Sequence, residues 1–123
     1  MTISRKIFAE SVTLPAITPK SLYELMRDSI QHWGFETTAL TTPSMDSIIG
    51  TNVELTPNTG DVYMGNDANV RNVNATPLYR GVFLPQGETR TIQDPGVYGI
   101  IDPNQIYLWS QSGSTVDVVF TAR

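Results

Sequence analysis

Asp61, Asn66, Asp67 and Asn69 cluster around a glycine-containing turn, and oxygen donors at that density could ligate a hard cation such as calcium. Their spacing does not match the twelve-residue, helix-flanked calcium loop, and Asp and Asn are ordinary turn formers, so the cluster reads as turn chemistry. His32 is the one imidazole. With no cysteine and no second histidine beside it, it lacks the partners of a transition-metal site, and its place near a predicted helix C-terminus suits a structural role. The acid pairs Asp94 with Asp102 and Glu88 with Asp117 could serve a glycosidase only if folding brought them to a defined separation in a cleft, which spacing does not dictate. Ser110, Ser112 and Ser114 have neither a Gly-x-Ser-x-Gly elbow nor an embedded base. Gly60-Asp-Val-Tyr-Met-Gly65 has two glycines but lacks the lysine and the following helix of a phosphate loop. Asn74-Ala-Thr76 matches a glycosylation sequon, yet no secretory signal accompanies it, and it reads as a turn. No catalytic, cofactor-binding or metal-binding set is assigned, and the chain is not expected to be an enzyme.

The elements that would hold these residues are mostly strands. Val116, Val118 and Phe120 alternate with Asp117, Val119 and Thr121, the period of a strand with one buried face. With Gln105-Ile-Tyr-Leu-Trp-Ser-Gln111 across the turn Ser112-Gly113-Ser114, this predicts a hairpin at the end of the chain. Further short runs at 47–55, 61–64, 78–84, 88–92 and 97–101 are divided by turns rich in Gly, Pro, Asn and Asp, including Asp94-Pro95-Gly96. This spacing predicts a mainly β chain: an antiparallel β-sandwich, jelly-roll-like, with one short amphipathic helix. The helix is predicted over 19–33, with Thr18 as cap, Pro19 at the first helical position and Gly34 as stop; Leu22, Leu25, Met26, Ile30 and Trp33 form its apolar stripe.

The length of 123 residues predicts a single domain: an extended arm over 1–14, the helix region 18–34 and a β body over 46–123. Charged residues make up only 16%, with Thr, Ser, Asn and Gln in their place. The net charge of −4 disfavours a phosphate-backbone partner, so no nucleic acid is expected. No run is long and apolar enough to span a bilayer, and Glu10 interrupts the N-terminal segment where a signal peptide would be most hydrophobic. The absence of cysteine fits synthesis in a reducing cytosol.

Aromatic residues remain as candidates for a partner surface. Tyr107 and Trp109 share one face of a strand whose other face carries Ile106 and Leu108, so both faces need cover, either from the chain itself or from a partner subunit. The N-terminal arm, with Ile3, Arg5, Lys6, Ile7 and Phe8, either completes its own sheet or pairs with an exposed strand of a neighbour.

The order of the arm, the helix opened by Thr18-Pro-Lys-Ser-Leu22, the segments Val53-Glu-Leu-Thr-Pro-Asn-Thr-Gly-Asp-Val-Tyr-Met-Gly65 and Gly81-Val-Phe-Leu-Pro-Gln-Gly-Glu-Thr89, and the closing Asn104-to-Phe120 stretch resembles small accessory virion proteins of tailed bacteriophages. The likeness runs from Thr18 onward and consists of turn chemistry and strand order. It implies a capsid cement or decoration subunit, a dimer or trimer made in the host cytoplasm, that adds to the virion surface by binding the major capsid protein. Deleting residues 1–14 is then expected to leave a folded protein that no longer binds capsids. A tail or spike component, including a carbohydrate-binding receptor module built on Trp109 and Tyr63, is the alternative, and a small hydrolase is the enzyme rival.

Overall fold

The computed structural model describes residues 7–28, 50–74, 76–93 and 101–122. Ile3, Arg5 and Lys6 of the arm, the helix positions Ile30, His32, Trp33 and Gly34, residues 47–49 of one predicted strand, and the turn and strand positions 94–100 lie outside them.

Among the described residues, eight strands form two antiparallel four-stranded sheets. The first contains β1 (Ile7–Leu14), β3 (Gly50–Pro57), β6 (Arg90–Gln93) and β8 (Ser114–Ala122), in the order β1-β8-β3-β6. The second contains β2 (Lys20–Ser21), β4 (Val62–Gly65), β5 (Val82–Leu84) and β7 (Tyr107–Ser110), in the order β2-β7-β4-β5. Consecutive strands lie in different sheets except for β4 and β5, which are adjacent partners. That interleaving is the jelly roll, and the sandwich expected from the turn spacing is the observed architecture.

Side-chain alternation explains the first sheet. On β8, Val116, Val118 and Phe120 are buried while Asp117 is exposed. They meet Val12 and Phe8 of β1 on one side and Pro57, Leu55 and Val53 of β3 on the other, in a register that places like faces opposite each other. Val62, Leu84 and Leu108 supply the facing layer from the second sheet, and both layers belong to one core cluster. The helix α1 (Leu22–Arg27) adds Leu22, Leu25 and Met26 to that cluster, beside a short 3-10 helix (Pro103–Gln105) whose first N–H groups are capped by Asp102, which accepts from the Asn104 N–H at 2.8 Å.

Three expectations are corrected. The helix begins later than predicted: Ser21, not Thr18, is its cap and accepts from the Glu24 N–H at 3.1 Å. Lys20 and Ser21 instead pair with Leu108 and Tyr107 as β2, so the backbone that would have formed the first turn is claimed by a ladder, and Pro19 stands outside the helix. Thr18 turns its hydroxyl back to the Ala16 carbonyl at 3.1 Å.

The second correction concerns the closing hairpin. β7 and β8 are consecutive but belong to opposite sheets, so Gln111-Ser-Gly113 is a corner that carries the chain across the sandwich. Gly113 adopts a φ of 83°, and a Cβ there would meet the Leu14 carbonyl at 3.3 Å. β8 pairs with β1 and β3, and β7 pairs with β2 and β4.

Thirdly, residues 7–14 are not a detachable arm. They pair with β8 along their whole length and bury Phe8, Val12 and Leu14, each at most 1% exposed. Removing them would strip an edge strand and three core side chains, so deletion of 1–14 cannot leave the folded body intact.

Candidate functional site

The second sheet carries a row of aromatic side chains on its outer face. β4 pairs with β5 and β7 so that Tyr63 lies opposite both Phe83 and Trp109, while the neighbouring Val62 and Leu84 point to the core. The alternation of side chains along each strand therefore brings three rings from distant parts of the chain into one line. Tyr63 and Phe83 have centroids 5.4 Å apart, and Tyr63 and Trp109 6.0 Å apart, both at tilted angles that favour edge-to-face attraction.

The loop between β4 and β5 folds back over this row. Val70, 1% exposed, packs against both glycines that bracket the loop: a Cβ on Gly65 would lie 2.7 Å from the Val70 Cβ, and one on Gly81 2.6 Å from its Cγ2. Gly81 also adopts a φ of 72°. Only residues without a side chain let Val70 dock so closely. Tyr79 ties the two ends of the loop together, its hydroxyl donating to Asn66 Oδ1 at 2.7 Å and accepting from the Asn66 N–H at 2.8 Å. Asp67 accepts from the Asn69 N–H at 2.8 Å, so the oxygen-rich cluster singled out by sequence organises this turn.

Arg71 follows the anchored Val70 and has a left-handed φ of 61°. Its N–H donates to the Tyr79 carbonyl at 2.6 Å. The guanidinium carbon stands 4.3 Å from the centroid of Tyr63 and 5.5 Å from that of Trp109, a cation–π arrangement over two rings. Between this arginine and the segment leading into β2 lies a cleft of about 400 Å³, bordered by Ile17, Pro19, Val73, Trp109 and Gln111.

The described residues among the sequence-predicted partner set fall in two places, Ile7 and Phe8 on β1 of the first sheet and Tyr107 and Trp109 on β7 of the second. Ile7 is 51% exposed on the outer side of β1, next to Phe8, which is wholly buried opposite Phe120 and is unavailable to a partner in the folded chain. Tyr107 is half-buried in β7, in the other sheet. Trp109, 7% exposed, forms part of the cleft beneath Arg71, so the cover that its face required comes from the chain itself. Arg71 was invisible to sequence reasoning, being a lone basic residue in a turn-rich stretch with no motif around it.

On the outer face of the first sheet, Asp117 accepts hydrogen bonds from the Ser11 hydroxyl and from Asn58 Nδ2, the latter at 2.8 Å. These bonds, Ser11 first and Asn58 second, hold its carboxyl below the ordinary value of 3.8 against a small opposing effect of burial. They link β1, β8 and the β3–β4 turn and give Asp117 a structural role. Among the described residues, no three of His, Cys, Asp and Glu converge on a common point.

The edges of the second sheet complete the surface. Among the described residues β5 pairs only with β4, and its Val82 and Phe83 are each 45% exposed. Two large apolar side chains thus stand beside a row of backbone groups with no strand partner among the described residues.

Comparison of the chain with protein families, with curated proteins and with solved structures finds no match.

Proposed function

We propose that this chain is a non-enzymatic structural protein of a phage virion, a cement or decoration subunit that binds the major capsid protein on assembled capsomers and acts as a homo-oligomer. The observation that carries this is the combination of a jelly-roll body with an apolar edge at β5, where Val82 and Phe83 flank backbone groups that have no strand partner among the described residues. Jelly rolls recur in viral shell proteins, which supports the role by analogy of architecture. An edge of this kind offers both main-chain hydrogen bonds and apolar contact to a neighbouring strand. Repetition over a symmetric shell multiplies modest contacts, so no single strong site is required.

Residues 1–6, with Ile3, Arg5 and Lys6, precede β1 and offer a second contact that can be removed without touching the strand. Ile7, exposed at the start of β1, adjoins it.

The test is the location and copy number of the protein in its parent particle, by quantitative mass spectrometry of purified virions with imaging of their surface. Copies comparable to the major shell subunit, seen on the head, are expected. A few copies at the tail would assign a spike role instead, and absence from the particle would overturn the virion assignment.

A further inference from the structure

The cleft beneath Arg71 has no part in shell binding through β5. Among the described residues, the non-glycine residues with left-handed backbone are Ile17 (φ 57°) and Arg71 (φ 61°), and both border this one cleft. A β-branched residue in that region is a conformational outlier, and such strain concentrates where a surface is shaped for a ligand. Here it is held by bonding on both sides, from the Ile17 N–H to the Ser110 carbonyl at 2.7 Å and from the Arg71 N–H to the Tyr79 carbonyl at 2.6 Å.

The chemistry of the lining identifies the ligand class. Arg71 has no carboxylate within ion-pairing distance among the described residues, although the chain carries a net charge of −4. Beside its cation–π contact with Tyr63, the guanidinium presents a planar fork of N–H donors that suits a carboxylate. Ile17, Pro19, Val73 and Trp109 supply apolar surface for the C–H face of a ring, and Gln111 adds an amide for hydroxyl groups. β7, which carries Trp109, is flanked by β2 and β4 and so offers no free edge for an extended peptide to pair with. A volume of about 400 Å³ suits a compact ligand. We propose that this cleft binds a carboxylated sugar, the carboxylate held by Arg71 and the ring resting against Trp109 and the rim of Ile17, Pro19 and Val73.

The full chain, isotopically labelled, is titrated with glucuronic acid, with its uncharged methyl ester, and with a blocked acidic peptide, following the Trp109 indole and Arg71 Nε resonances. Saturable shifts at both residues with glucuronic acid are expected, with the ester at least about tenfold weaker. Arg71→Asn, which tolerates the left-handed backbone, should show the same loss. The acid–ester comparison on the unaltered chain holds whether or not that variant folds. No saturable shift with the acid, shifts that spare Trp109 or Arg71, equal binding by the ester or by folded Arg71→Asn, or tighter binding of the acidic peptide would each overturn the proposal. The titration is independent of where the protein sits in a particle, so it can fail without touching the virion assignment.

Discussion

Val70 occupies the space that a side chain on Gly81 would need: a Cβ at that glycine would lie 2.6 Å from the Val70 Cγ2 and 2.7 Å from the Met64 carbonyl oxygen. One valine is thereby keyed to the glycines at both ends of the β4–β5 loop, and Arg71 is positioned as the next residue along.

Gly81→Ala is therefore expected to combine overpacking with a disfavoured φ of 72° and to destabilise the protein by about 2–3 kcal/mol. Gly87→Ala provides the control. Its φ is 79° but nothing lies within 4 Å of the added Cβ, so only the backbone effect of about 1 kcal/mol remains. Urea unfolding midpoints separate the two, and equal losses would show that Val70 does not hold the loop as described.

Phe8→Ala should cost about 3–5 kcal/mol, because Phe8 is fully buried against Phe120 in the middle of the core. Deleting 7–14 should abolish cooperative unfolding, whereas deleting 1–6 should leave the thermal transition in place and lower capsid occupancy. Circular dichroism melts paired with capsid co-sedimentation check both, and full occupancy after removal of 1–6 would exclude the arm from binding.

Phe83→Lys places a charge on the open edge of β5 at a side chain that is 45% exposed. Stability should change by no more than about 1 kcal/mol. Capsid affinity should fall by about tenfold or more if this edge is the docking strand. Binding isotherms on purified shells measure the effect, and unchanged affinity would move the interface elsewhere.

Asp117 gives a pH signature with a definite sign. Its folded carboxyl titrates below the ordinary 3.8 because Ser11 and Asn58 donate to the ionised form. The stabilisation is thus present in full above that value and is lost as the pH falls through the lower folded value. The site is almost fully exposed, so the effect is small and weakened by salt. Asp117→Asn should be less stable than the parent at neutral pH, with the gap closing as the pH falls below the ordinary 3.8 and through the lowered folded value, as followed by urea midpoints across pH. A gap that is constant with pH would mean that the charge plays no part.

The sequence by itself determined the class of this fold and much of its core. The alternation of Val116, Val118 and Phe120 specified a buried face because the period of a strand is local, and the same holds for Leu22, Leu25 and Met26 at helical spacing. Turn residues such as Gly60, Gly87 and Gly113 marked chain reversals because a positive φ is a property of one residue, whereas Gly81, inside the strand predicted over 78–84, also has a positive φ and stands just before β5. Tertiary structure alone decided where each reversal led. Ser112-Gly113 fits a hairpin and a corner between sheets equally well, and the choice depends on which distant strand, β1 and β3 or β2 and β4, wins the ladder. For the same reason Ser21 displaced Thr18 as helix cap once β7 claimed Lys20 and Ser21. The cleft was not legible at all. Ile17, Arg71 and Trp109 share no local pattern, and they meet only because the strand register lines up Tyr63 with Trp109 while Val70 pins the loop above them.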